Sequence, residues 1–233
     1  MPDSKLESPL QLMPAKVAVI GAAGGLGQGI LRVCRSAGVR FTAIVRSRPE
    51  RITAIPEGSR VEVLGDLGDR SRLASAFTDS DAVLTAMGVT RTSLDRTALL
   101  SENLASVEAA MNSAGVDRIL IINTLLAAAP GAPPSFLGRL FSLLPGNIGR
   151  GAAELQAVPT ALGNGALSSL RWTLVRAATN AKGKDVPPAA ALSRHEAVTS
   201  MWPVSYDAMA RWMLEEAVAN RFVREAPLVS RPR

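Results

Sequence analysis

The sequence predicts an α/β protein, a doubly wound parallel sheet flanked by helices in a single domain, and three observations predict it. Four apolar, β-prone residues, Val17-Ala18-Val19-Ile20, run straight into a turn with glycines at 21, 24, 25 and 27. Short apolar runs then alternate with stretches of helical apolar spacing, the rhythm of strand–helix–strand units. Ile119-Leu120-Ile121-Ile122 is apolar at every position, as expected of a strand covered on both faces.

The elements follow in order. Residues 17–20 form strand one. From Leu26, the apolar positions Leu26, Ile30, Val33, Cys34 and Ala37 fall on one helical face, and Gly38 is a suitable stop. Strand two spans 41–45 and strand three 60–64, followed by a short helix over 70–77. Strand four spans 81–87. A long helix from about 93 to 114 sets Leu99, Leu100, Leu104, Val107 and Met111 on one side, with Gly115 as its stop. Strand five spans 119–122, a helix runs from 151 to about 167, and strand six spans 172–175. A final helix over 206–219 has Ser205 as its N-cap, and 228–230 adds a short last strand. Residues 1–14 read as a mobile arm and 15–233 as the domain.

Composition narrows the function. Of the 233 residues, 47% are hydrophobic and 20% charged, values of a globular chain with a large core. No apolar run is long enough for a membrane-spanning helix. The first 14 residues carry two acids and no apolar segment of the secretory kind. A single cysteine, Cys34, excludes an internal disulfide and fits a reducing cytoplasm, where a buried structural thiol is expected at this helical position. The net charge of +6 comes from scattered arginines with 4% aromatic residues and no basic block, which argues against nucleic acid. It describes a basic solvated surface suited to anionic ligands. No His, Cys and carboxylate cluster has metal spacing. A monomer or homodimer acting on a small molecule is expected.

The glycine turn carries the chemistry. A strand, a tight turn and a helix start put backbone N–H groups and the positive end of the helix dipole at one point, which accepts a phosphate. Gly21-x-x-Gly24-x-x-Gly27 is neither the common G-x-G-x-x-G pattern nor a P-loop, since no Gly-Lys-Ser/Thr follows. Gly21, Ala23, Gly24, Gly25, Leu26 and Gly27 are the candidate dinucleotide contacts. Strand two ends in Arg46-Ser47-Arg48, with no acid before Glu50. A carboxylate there serves a ribose 2′-hydroxyl, whereas a guanidinium grips a 2′-phosphate, so NADP(H) is favoured over NAD(H). Arg46 and Arg48 are the candidates, and the competing reading makes them plain loop residues. After strand three, Asp66 can accept from an adenine amino group while Leu67 packs on the ring, or Asp66 can cap the following helix. Ala86, Met87 and Gly88 close strand four, where a glycine lets the backbone approach a cofactor.

Together these pieces resemble the atypical short-chain dehydrogenase/reductase superfamily, in its NAD(P)H-binding, NmrA-like branch, and are similar to the biliverdin/flavin reductase B type. The matching segments are the Gly21, Gly24, Gly27 turn, Val45-Arg46, Gly65-Asp66-Leu67, Asp81-Ala82-Val83 with Gly88, 114–118 and 170–176. The resemblance implies a Rossmann-like domain over about 15–229. It also implies a hydrogen-bonding role for Thr124, which matches a serine beside the cofactor, and a pocket-facing role for Arg150 at a helix start.

One departure bears on mechanism. Typical members of the wider superfamily use Tyr-x-x-x-Lys as general acid. The sole tyrosine here, Tyr206, is followed four positions on by Ala210, and the lysines stand at 5, 16, 182 and 184. Tyrosine-driven ketone reduction is therefore excluded. Thr124 is a poor acid and is expected to orient substrate or to satisfy a backbone group. Arg150 can equally pair with Glu154 one helical turn away. His195, the only histidine, sits in a polar stretch that reads as surface loop. Residues 125–149, rich in proline, glycine and apolar side chains, should overhang the carboxyl edge of the sheet as a lid, a subunit interface or core packing. The expected activity is an NADPH-dependent hydride transfer to a conjugated, apolar or aromatic acceptor such as a flavin, quinone or polyketide-like ring. The alternatives are an NADP(H)-binding regulator without turnover and a non-redox isomerase, cyclase or dehydratase.

Overall fold

The computed structural model describes residues 13–87, 100–133, 147–193 and 200–233, with backbone alone over 147–154. The strands are β1 (Lys16–Ile20), β2 (Arg40–Val45), β3 (Arg60–Val63), β4 (Ala82–Thr85), β5 (Arg118–Thr124), β6 (Arg171–Ala177), β7 (Thr179–Lys184), β8 (Ala189–Ala191) and β9 (Leu228–Ser230). The helices are α1 (Gly25–Ala37), α2 (Arg70–Phe77), α3 (Leu100–Ala114), α4 (Asn147–Gly163) and α5 (Tyr206–Ala219). Eight strands form one sheet in the order β3-β2-β1-β4-β5-β6-β9-β8. Strand order reverses beside β1, which pairs in parallel with β2 on one side and β4 on the other. That switch point opens a crevice at the carboxyl ends of the strands.

β1 is buried along its whole length, and its alternation divides two cores. Val17 and Val19 pack with α1 and α5, while Ala18 and Ile20 pack with α2, α3 and α4. On α1, Leu26, Ile30, Val33 and Cys34 are buried as their spacing predicts, but Ala37 is exposed because the helix lifts off before Gly38. Gly38 sits at φ 71 and returns the chain so that Val39 re-enters the core. Leu100, Leu104, Val107 and Met111 of α3 are buried likewise.

The sheet is parallel as expected, with one antiparallel pair at its edge, where β8 runs against β9. Three details differ from expectation. Strand four is shorter than 81–87: Ala86 N–H still donates to Ile20 O of β1 at 2.8 Å, and Ala86 and Met87 line the crevice. α2 is capped by Asp69, whose Oδ1 accepts from the Arg72 amide at 3.1 Å, and not by Asp66. The helix expected over 151–167 runs over 147–163, because Ala166 N–H reaches back to Ala161 O (2.9 Å) and the chain turns at Gly165, at φ 94. Met13 packs on the core and Pro14 is buried. Residues 1–12, the 93–99 part of the long helix and positions 194–199 lie outside the described residues.

One ion pair ties the sheet to the last helix. Arg118 on β5 and Glu216 on α5 are both 0% exposed and meet at 3.2 Å. Arg118 also donates to Arg171 O (2.8 Å), and Glu216 accepts from Phe222 N and from Arg221 Nε, both at 2.9 Å. Burial pushes the Arg118 guanidinium down to about 10, against the pull of Glu216, so it stays charged at neutral pH. A second buried group, Cys34, has its thiol pushed up by burial from the usual 9.0 to about 12.

Two outcomes follow for stability. Glu216→Ala should lower the unfolding free energy by about 3–5 kcal/mol in urea titrations, because it strands a buried charge. Above pH 9 the unfolded chain ionises Cys34 while the folded chain does not. Stability present below pH 9 should therefore decline by about 1.4 kcal/mol per pH unit on that account, a slope that Cys34→Ala removes.

Candidate functional site

The glycine turn lies at the floor of a cleft of about 730 Å³ at the carboxyl ends of the central strands. Gly21 leaves β1 at φ 83, and a Cβ there would stand 2.9 Å from Met87 Cγ, so only glycine fits. The amides of Gly21 and Ala22 both donate to Ile44 O, at 3.0 and 3.2 Å, which pins the turn to β2. Gly24 is the N-cap of α1 and makes no side-chain cap bond, and no acid occupies the first turn. The N–H groups there point where an anion is favoured. Ala23, Gly24, Gly25 and Leu26 line the cleft. Gly27 does not: a Cβ on it would fall 2.4 Å from Gly21 O, so this glycine lets the helix pack against the turn.

At the β2 end, Arg46, Ser47 and Arg48 line the cleft, as does Arg51, which the sequence reading missed. Arg48 has φ 61 and starts a single turn over Pro49–Arg51 that returns Arg51 to the cleft. Arg-Pro after a strand was the available signal for such a turn. Gln28 on α1 holds the two sides together, its Nε2 donating to Ala22 O (3.3 Å) and Arg51 O (3.1 Å). Leu67 is buried and lines the wall, whereas Asp66 is exposed, accepts from Gly68 N at 2.7 Å and stands off the wall. Three arginines are the only charged groups among the described lining residues, so the cleft favours anions.

The β5 end is apolar, with Ile121, Ile122, Leu155 and Val158 in the wall. Ala86 and Met87 line the adjoining stretch, while Gly88 lies outside the described residues. Thr124 lines the cleft, and its Oγ1 accepts from Leu126 N at 3.3 Å. The backbone-satisfying role weighed for Thr124 is thus seen. Its setting is built by α4. Pro159 has no N–H for Leu155 O, and Asn123 Nδ2 fills that carbonyl at 3.0 Å. Asn123 Oδ1 in turn accepts from Thr124 N at 2.8 Å. Gln156 clamps the following turn, accepting from Ala128 N (3.1 Å) and donating to Leu126 O (3.2 Å).

Tyr206, at the start of α5, also lines the cleft. Sequence reading missed it because its place comes from the docking of α5 on α1. Arg150 lies in the first turn of α4, whose side chains fall outside the described residues, as do His195 and residues 134–146 of the apolar segment. No group of three or more His, Cys, Asp or Glu among the described residues can hold a metal, and none of the described helices is long and apolar enough to cross a membrane.

The family model for NAD(P)H-binding proteins matches residues 21–219, from the glycine turn to the end of α5. A candidate epimerase from Bacteroides thetaiotaomicron superposes with a TM-score of 0.72 at 21% identity, covering 94% of this chain and 98% of that one. A wide-type short-chain dehydrogenase/reductase from Veillonella parvula, solved with NADP, gives 0.65 at 19% identity over 94% and 96%. A Rossmann-fold NAD(P)-binding family protein from Shigella flexneri gives 0.61 at 18% identity over 93% of each. At these identities the likeness establishes the Rossmann fold.

The packing of the turn is testable by one added methyl. Gly27→Ala should cost about 1–3 kcal/mol by overpacking, lower Tm and weaken pyridine nucleotide binding at least tenfold in calorimetric titration. Gly65→Ala, where a Cβ meets nothing within 4 Å, should leave Tm unchanged.

Proposed function

The chain belongs to the NAD(P)H-binding family, and from that premise we propose that it is an NADPH-dependent reductase of the atypical short-chain dehydrogenase/reductase, NmrA-like type, passing hydride to a flat, conjugated acceptor. The observation that carries the reading is the cleft itself, with uncapped helix amides at its floor, arginines at one end and apolar side chains at the other.

In this reading the amides of Ala23 to Leu26 hold the diphosphate. Arg46 and Arg48, with Arg51 and Ser47 beside them, hold the 2′-phosphate through charge-assisted bonds. Leu67 packs on the adenine. NADPH, when bound, supplies a hydride. The apolar β5 end excludes water and receives an apolar or aromatic acceptor such as a flavin, a quinone or a polyketide-like ring. Thr124 orients that acceptor by donating its hydroxyl proton in a hydrogen bond, with Arg150 a further candidate from α4. A conjugated acceptor can take hydride without a positioned acid, since solvent supplies the later proton, and this agrees with a chain lacking Tyr-x-x-x-Lys. A cytoplasmic setting suits both the reduced nucleotide and the lone thiol.

One observation favours a second reading, an NADP(H)-binding sensor without turnover. No carboxylate, histidine, cysteine or lysine lines the cleft among the described residues. Following NADPH absorbance with quinones and flavins separates the two: oxidation supports the reductase, and tight binding with no oxidation across the panel supports the sensor. Arg46→Ala should weaken NADPH about tenfold or more while changing NADH little; equal losses would reject the 2′-phosphate assignment.

A further inference from the structure

The ring of Tyr206 lies in a shallow groove on α1 made by two glycines one helical turn apart. A Cβ on Gly29 would stand 3.0 Å from Tyr206 Cβ. At Gly25 it would stand 2.6 Å from Cε2, 2.9 Å from Cζ and 3.1 Å from the hydroxyl oxygen. The side chain therefore runs along α1 towards its N-terminus, and the hydroxyl emerges beside the first turn, within the cleft wall. Gly25 and Gly29 serve the tyrosine, a use of these glycines separate from the turn itself.

Three features fix this placement. Ser205 caps α5, its Oγ accepting from Ala208 N at 3.0 Å, so Tyr206 opens the helix in a set direction. Asp207, the next residue, pairs with Arg32 on α1. Further along α5, Glu216 is locked to Arg118 on β5. The phenol is thus held on a rigid helix, and no hydrogen bond engages its hydroxyl among the described residues. A group aimed at the first turn of α1 meets whatever those amides hold.

We propose that the Tyr206 hydroxyl donates a hydrogen bond to the cofactor's diphosphate, completing with a side chain a cradle otherwise made of backbone amides. Diphosphate oxygens at neutral pH only accept, and the phenol supplies the proton. This rests on the reading of the cleft as a pyridine dinucleotide site and adds a binding residue to it. A hydrogen bond to a charged acceptor corresponds to about 10- to 100-fold in affinity.

The test compares wild type with Tyr206→Phe, which keeps the ring over Gly25 and Gly29, by calorimetric titration with NADPH and with 2′-AMP, which has no 5′-phosphate. The expected result is a loss of about 10- to 100-fold for NADPH, with 2′-AMP affinity and Tm unchanged. Equal NADPH affinity in both proteins, or equal losses for both ligands, overturns the assignment. So does a variant with wild-type NADPH affinity and lowered turnover, which would give the hydroxyl to the acceptor instead. A wild-type chain that binds neither NADPH nor NADH overturns the dinucleotide reading, and the tyrosine assignment with it.

Discussion

Everything at the cleft depends on how closely α1 approaches the chain that leaves β1. Gly21 O lies where a side chain on residue 27 would be, and the same helix brings Gly25 and Gly29 against Tyr206. A helix set even one methyl further out would withdraw its first-turn amides from the crevice and break the Gln28 bridge to the Arg51 turn. The glycines thus act less through flexibility than through missing volume. Three of these positions set helix placement, and Gly21 alone adds a backbone angle closed to other residues.

The opposite end of the cleft is built from a defect. Proline within α4 deprives one carbonyl of its partner, and the polar end of β5 supplies another. Leaving that carbonyl buried and unpaired would be costly, so helix and strand are held in one register. Asn123 engages both ends of its amide in this way, and Thr124 lines the wall beside Ile121, Ile122, Leu155 and Val158.

What was legible in the sequence was what is local. β1, the glycine turn, α2, α5 with its Ser205 cap and the last strand followed from periodicity and punctuation, and Arg46 was visible because it follows a strand end. The failures were of two kinds. Asp66 and Asp69 both precede α2 by a few residues, and pattern alone does not say which one caps it. β7 and β8 carry no strand signal, being Thr-Asn-Ala-Lys-Gly-Lys and three alanines. They exist because Val204 and β9 offer them backbone partners. Tyr206 reaches the cleft only through tertiary docking, so no spacing could have announced it, whereas Arg51 is returned there by a local turn that Arg48-Pro49 signalled.

The buried arginine–glutamate contact has an effect beyond local strength. Parting the pair would leave a buried charge without its partner, so the contact ties the position of α5 to β5. The same helix carries Tyr206, which forms part of the cleft wall. Integrity of the cleft is therefore linked to the docking of the last helix, and by mass action any ligand held in the cleft would also secure a segment more than a hundred residues downstream of the glycine turn.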